Sequence, residues 1–468
     1  MTTAVKKGAD SPLAHLSEQE LEKLAKEFDA IHDEVFADLG DRDRRYIKNV
    51  ISAQRQIVVA GRVLLLASRS KTAWLLGTAC LSMAKILENM EIGHNVMHGQ
   101  WDWMNDPDIH SSVWDWDTAS TAESWKHSHN YIHHTFTNIL GKDKDLGYEI
   151  MRIDPNQRWA PRYLGQPIYN LLLTLLFEWG VAVHDMDIDA IRKREKPWSE
   201  VRKDLRGIGV KARAQIYKDY LGWPAISAGA FALTQLALRG GLEQPAKSRL
   251  GRRLRKVSSR GRIGAATNFL DKVAPGVEST YLRTLAADAL ANVIRNVWAH
   301  AIIFCGHFPD QTYTFTQEEV ENETRGGWYV RQLLGAANID GSPLFHIVSG
   351  NLGYQVEHHL YPDMPSSRYS EIAPQVKDIC ERYELPYNSG RFGRQWLMVH
   401  RSIFRLAFPG GKPRPKPGPY RGNVHRPEPG RSSEGTRFRD RVPAEHPAAG
   451  PEHEGTGVQV QPPPRGKD

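Results

Sequence analysis

Histidine is clustered in this chain, and the clusters constrain its fold more than any other feature. The stretch 125–138, WKHSHNYIHHTFTN, carries His127, His129, His133 and His134 within eight residues. On a helix, His129 and His133 share a face as i and i+4, with His134 about 100° further round. The same arithmetic recurs in GHNVMHGQ, where His94 and His98 are again i and i+4. In YQVEHHLYP, His358 and His359 are adjacent and Gln355 lies one turn before them. Neutral imidazole is the commonest biological metal ligand. No single segment could place eight imidazoles round two ions, so the fold has to bring the three clusters together.

Apolar segments alternate with these clusters. Residues 57–68, IVVAGRVLLLAS, are interrupted by Arg62, and residues 73–87, AWLLGTACLSMAKIL, by Lys85. Each is shorter than the roughly 20 residues a bilayer asks for, but flanking residues and snorkelling side chains extend the reach. The pair predicts a helical hairpin that returns to the side it left. Three more segments follow: 168–183, with Glu178 inside and HD at its end; 220–238, without a charge; and 282–308, with Asp288, Arg295, His300 and His307. The mean hydropathy of −0.50 is low for a membrane protein. Tails and basic stretches account for much of it, so the local windows carry more weight. If the histidine clusters share one face, an even number of crossings separates them. Residues 168–183 are therefore predicted to form an interfacial helix, and the other four segments two membrane hairpins. Basic loops are predicted at 186–218 and 239–280, and both cannot obey the positive-inside rule if they flank one span.

Other features bound the reading. The net charge is +7, and the three cysteines, Cys80, Cys305 and Cys380, are scattered without a CxxC. That excludes a disulfide framework and a cysteine metal site and fits a reducing compartment. The first residues have the look of a soluble lead-in, 1–50, without a secretory signal. Ser17 and Glu20 form a capping box, and Leu21, Leu24, Phe28, Ile31 and Phe36 follow at helical spacing. This amphipathic helix rests on the body of the protein or on a membrane surface, the former being the commoner arrangement. A main domain is expected at 51–400. Residues 409–468, rich in Pro, Gly and charge, read as a disordered tail.

Eight or more histidines in boxes suit zinc, copper or iron. Zinc sites close with three or four ligands, so one zinc would leave histidines idle. Carboxylates within the boxes are too few for the Glu and Glu-x-x-His pattern of di-iron bundles. A histidine-rich pair of irons fits the count best.

The boxes and their surroundings resemble the integral-membrane fatty acid desaturase family, in its acyl-lipid or front-end-like branch, whose pattern is HxxxH, HxxHH and H/QxxHH. HNVMH matches the first box, HNYIHH the second and QVEHH the third. The frame matches as well: a tryptophan before box two, TFTN and GKDKD after it, and GNLGYQVEHHLYPDMPSSRY round box three. The resemblance covers roughly residues 50–390. Box two departs from the commonest form, with three residues rather than two between His129 and His133. His129 is taken as the ligand, with His127 the alternative. The resemblance implies metal ligation by His94, His98, His129, His133, His134, His358 and His359. It also implies a histidine near the end of the fourth membrane helix with an asparagine one turn earlier. Asn296 and His300, in NVWAH, fit that pattern, and His307, seven residues on and on the same face, is the runner-up. Gln355 is expected to bind through water or to orient a neighbour. Asp143 and Asp145 either orient ligand imidazoles or form a solvated acidic turn. His110, His184 and His346 are read as ordinary histidines, and Cys305 and Met97 as packing.

The implied protein is an all-α, multi-pass membrane enzyme. About four membrane helices in two hairpins carry a cytosolic helical cap that holds two iron ions. With O2 as co-substrate it would remove two hydrogens from adjacent methylenes of a fatty acyl chain carried on lipid, coenzyme A or a carrier protein. No catalytic side chain beyond the ligands is expected. Nor is a nucleic-acid partner. No HPGG-like haem motif, cysteine cluster or GxGxxG occurs, so a separate donor such as ferredoxin or cytochrome b5 is expected to supply electrons. The basic stretches could receive an acidic donor or sit on anionic headgroups of membrane lipid. Two rivals are a lipid hydroxylase or ketolase with the same boxes, and a membrane protein that binds or transports metal without redox chemistry. Transporters hold their ligands near mid-bilayer, whereas these boxes lie between and after the apolar segments.

Overall fold

The computed structural model describes residues 15–240, 259–410 and 416–421. Helices dominate it. A departure from the all-helical expectation is the parallel pairing of Asn338–Asp340 with Ser389–Arg391.

The N-terminal helix, Glu18–Ala37, begins at the expected capping box: the Glu20 amide donates to Ser17 Oγ at 3.2 Å, and the Ser17 amide to the Glu20 carboxylate at 2.7 Å. Its apolar stripe is buried on the body, where Leu24 and Phe28 join a core with Leu333, Val356 and Tyr361. No break falls at residue 50. Helix Asp41–Leu66 starts earlier because the Asp43 carboxylate caps the Gly40 amide at 3.1 Å.

Asp41–Leu66 and Lys71–Leu87 form the first hairpin. Their backbones approach closely at glycine: a Cβ on Gly77 would stand 2.8 Å from Leu65 Cγ. Val59, Val63, Leu75 and Leu76 face outward. The second hairpin is longer than the sequence suggested. Trp198–Gln215 continues through a π-helical segment, Ile216–Gly222, into Trp223–Gly240, and Ser259–His307 returns. The predicted loop 186–218 is thus mostly helix, held down by Lys203–Glu123 and Lys211–Asp115 ion pairs. Of the predicted loop 239–280, residues 241–258 lie outside the described residues, and helix resumes at Ser259. Among the described residues, two helices, Trp198–Leu238 and Val273–His307, are long and apolar enough to cross a membrane.

The charges that interrupt the first hairpin tie it to the second. Arg62 Nη1 donates to Asp288 at 2.5 Å, and Lys85 Nζ to Asp219 at 2.7 Å. Residues 168–183 form two helices rather than one, Gln166–Leu175 and Phe177–His184, broken at Leu176. Ile168, Leu171 and Leu172 are exposed on the first. Phe392–Leu406 packs beside it. Of the expected tail 409–468, residues 409–410 and 416–421 are described and the rest lies outside the described residues. Within that short piece, the Tyr420 amide donates to the Leu385 carbonyl at 2.9 Å.

Candidate metal centre

Box one begins at the last residue of a π-helical turn, Glu88–His94, and His129 and His133 of box two lie on another, Lys126–His133. A π turn bonds i to i+5, is wider than an α turn, and recurs at functional sites. The His129 and His133 rings stack 5.1 Å apart at 22°, so both face inward across the longer gap. Box three occupies a short helix, Gln355–Leu360, in which His358 and His359 are fully buried.

The three boxes converge. One ring nitrogen each from His94, His98, His129 and His358 fall within 4.8 Å of one another, and so do those of His133, His307 and His359. His134 lies between the groups, with ring centroids 4.8 Å from His98 and 4.5 Å from His359. Of the two fourth-helix candidates, the structure brings His307 to the cluster. His300 is not at the cluster: its Nε2 meets Asn170 Oδ1 at 3.0 Å and its ring stacks on Phe304 at 3.7 Å. It lies seven residues, about 10 Å of helix rise, short of His307. Asn296, its expected companion, instead donates to the Leu175 carbonyl at 3.0 Å. His127 is exposed beside Tyr131. Gln355 Nε2 sits 2.9 Å from His307 Nε2, beside the second group.

The outer partners hold the imidazoles by Nδ1. His133 meets Asp143 at 3.1 Å, His129 meets Asp145 at 3.1 Å, and His94 meets Asn95 at 3.0 Å. His358 meets the Tyr369 hydroxyl at 3.1 Å, and His359 meets Gln332 Oε1 at 3.1 Å. Such partners set the tautomer and leave Nε2 for a metal. The arrangement fits one: the Nε2 atoms of His98, His129, His133, His134 and His358 are buried without a hydrogen-bond partner. A buried polar atom left so is costly unless something binds it. Burial pushes His94 down to about 3 and holds His98, His134, His358 and His359 well below the ordinary histidine value. These imidazoles are therefore neutral, the form that ligates metal. His133 differs: burial opposes it, but Asp143 and Asp145 hold it above its ordinary value.

Several contributors escaped the sequence reading. His184, read as ordinary, meets the same Asp145 at 2.9 Å. Gln332 and Tyr369 carried no signal, being distant in sequence. Glu91 and Glu357 stand beside the boxes in plain view. Glu91 is fully buried and accepts from Tyr46, Asn351 and Ser366, and Glu357 accepts from Asn338 and Tyr387.

A narrow cavity of about 60 Å³ reaches the centre at His94, His129 and His307, with Met90, Trp116, Phe177 and Ile303 among its apolar walls.

The family model for fatty acid desaturase matches residues 72–391. The NADPH-dependent stearoyl-CoA 9-desaturase of Mycobacterium tuberculosis (strain ATCC 25618 / H37Rv) is 42% identical over 396 residues, covering 85% of this chain and 82% of that one. The sn-1 linoleoyl-lipid 6-desaturase of Synechocystis sp. is 24% identical over 320 residues, covering 67% of this chain and 74% of the relative. Fatty acid desaturase 3 of Homo sapiens is 32% identical over 111 residues, 24% of this chain and 23% of the relative. No solved structure matches the chain. This chain belongs to the fatty acid desaturase family.

Proposed function

We propose that this protein is a membrane-bound, O2-dependent fatty acyl desaturase that works with two iron ions. The observation that carries the reading is the pair of adjacent imidazole groups, with the Nε2 atoms of His98, His129, His358, His133 and His134 buried and orphaned. His94, His98, His129 and His358 would hold one ion, and His133, His307 and His359 the other, with His134 between them. Zinc, which closes with three or four ligands, has no use for so many.

Bound iron supplies the O2-dependent removal of hydrogen from unactivated C–H bonds, for which side chains have no acid–base handle. Overall, two adjacent methylenes with O2, two electrons and two protons give one double bond and two waters. The chain's own residues do the positioning. Asp143, Asp145, Tyr369, Gln332 and Asn95 fix ring orientation and tautomer. The apolar cavity walls exclude water and hold two methylenes beside the histidines. A long-chain acyl thioester of coenzyme A is the substrate, a choice supported by the name of the mycobacterial relative. Electrons come from a separate donor such as ferredoxin or cytochrome b5, and the basic helix Trp198–Gln215 offers an acidic donor a landing face. Both hairpins cross the membrane, giving four spans with the histidines on the cytosolic side. The outward-facing apolar residues of the first hairpin support that topology.

The test pairs metal analysis of the detergent-purified protein with acyl profiles of cells with and without it. Iron together with new monounsaturated acyl chains is the expected result. Zinc or no metal, with unchanged lipids, overturns the reading.

A further inference from the structure

We infer that the buried ion pair between Arg295 and Glu178 is the end wall of the acyl cavity and sets how long a chain the enzyme accepts. The inference rests on the desaturase reading above. Both residues line the cavity that reaches His94, His129 and His307. Both are buried, Arg295 at 2% and Glu178 at 5% exposure, and they meet at 2.6 Å.

Two helices lead from this pair to the histidines in the same sense. Arg295 and His307 share the long helix, about 18 Å apart along its axis. Glu178 and His184 share Phe177–His184, about 9 Å apart, and His184 reaches His129 through Asp145. Ile303 and Val181, lying between these ends, present apolar surface to the cavity. An extended hydrocarbon advances about 1.3 Å per carbon, given C–C bonds near 1.5 Å. The distance between centre and pair therefore matches a limited run of methylenes, on the order of ten, and the narrow cavity of about 60 Å³ has to widen along its apolar walls to admit them.

The pair suits a wall and not a headgroup site. Arg295 is held on three sides: Nε donates to Asn296 Oδ1 at 3.2 Å, Nη1 to the Asp117 carbonyl at 3.0 Å, and Nη2 forms the ion pair with Glu178. Gln215 Nε2 contacts both Glu178 oxygens at 3.2 Å. A carboxylate or phosphate arriving there would meet the Glu178 carboxylate already beside the guanidinium and be repelled by it. A methyl terminus has nothing to offer either partner, and separating a buried pair leaves both charges uncompensated. The chain stops against it.

The double variant Glu178→Ala/Arg295→Ala removes both charges at once, so neither is left buried alone. Its preference for a 20-carbon over an 18-carbon acyl-CoA, as a ratio of kcat/KM, is expected to rise about tenfold or more, the usual worth of methylenes in an apolar pocket. Val181→Phe, which narrows the cavity before the wall, is expected to move the ratio the other way. A folded, active double variant with the wild-type ratio overturns the wall. A third measurement needs no variant: an 18-carbon acyl-CoA with a diazirine at its methyl end is photolysed on the wild-type protein. Label at 177–179 or 291–296 supports the wall, and label only elsewhere overturns it. Wild-type protein that makes no unsaturated product overturns the desaturase reading instead, and the photolabel still reports where the methyl end stops.

Discussion

His307 Nε2 lies 3.2 Å from His359 Nε2, joining the end of the long helix to box three across 52 residues of sequence. Gly306 permits the approach, because a Cβ there would stand 2.9 Å from Gln355 Cγ. The second imidazole group is therefore completed by the last residue of a helix that runs through the apolar core.

Replacing that histidine separates the two candidates on the helix. His307→Ala is expected to lower the iron content and abolish turnover, since it removes one of three imidazoles from its group. His300→Ala, whose ring is engaged with Asn170 and Phe304, is expected to retain the wild-type iron content. Metal analysis of both variants decides, and equal loss in the two would return His300 to the ligand set.

Asp143 receives His133 Nδ1 on both carboxylate oxygens at 3.1 Å and also caps the Asn138 amide at 2.7 Å. Asp143→Asn keeps the shape but weakens the hold on the ring. Metal affinity or activity is expected to drop by about 10–100-fold, the usual effect of losing such a partner. Iron titration of the apo variant measures it, and unchanged affinity would make the contact incidental.

Glu91 gives a pH signature. Burial, opposed by hydrogen bonds from Tyr46, Ser366 and Asn351, pushes its carboxyl up to about 7 from an ordinary 4.5. The folded protein therefore holds this proton where the unfolded chain has released it. The stability so contributed is fully present below about pH 4.5 and is lost as pH rises through about 7. Glu91→Gln cannot titrate, so its melting temperature relative to wild type is expected to climb between these values and then level. A difference that stays flat across the window would place the titration elsewhere.

Phe28 is fully buried and its ring lies 5.0 Å from Tyr329. If the N-terminal helix is part of the body, Phe28→Ala costs about 3–5 kcal/mol. Denaturant unfolding in detergent checks this. A loss near zero would mean that the helix docks weakly.

Local geometry was legible in the sequence wherever partners lie within a few turns. The i, i+4 histidines of boxes one and two and the Ser17–Glu20 cap follow from spacing, because helical phase is a short-range property; the sequence left Asp143 open between orienting an imidazole and a solvated turn, and the turn at Asn138 brings it to His133. The hairpin of residues 57–87 was legible too, though not the purpose of Arg62 and Lys85. Their partners Asp288 and Asp219 sit on another hairpin and share no local pattern with them. The choice between His300 and His307 shows the limit most directly. Seven residues bring a helix back to nearly the same face, so both candidates have the same phase, and spacing cannot tell them apart. Only packing sets how far along its axis the helix meets box three, and Gly306 lets that meeting happen at His307. By itself the sequence determined the kind of centre: many imidazoles, few carboxylates and no cysteine. The tertiary structure decided which eight imidazoles meet, because their convergence depends on the axial register between elements hundreds of residues apart.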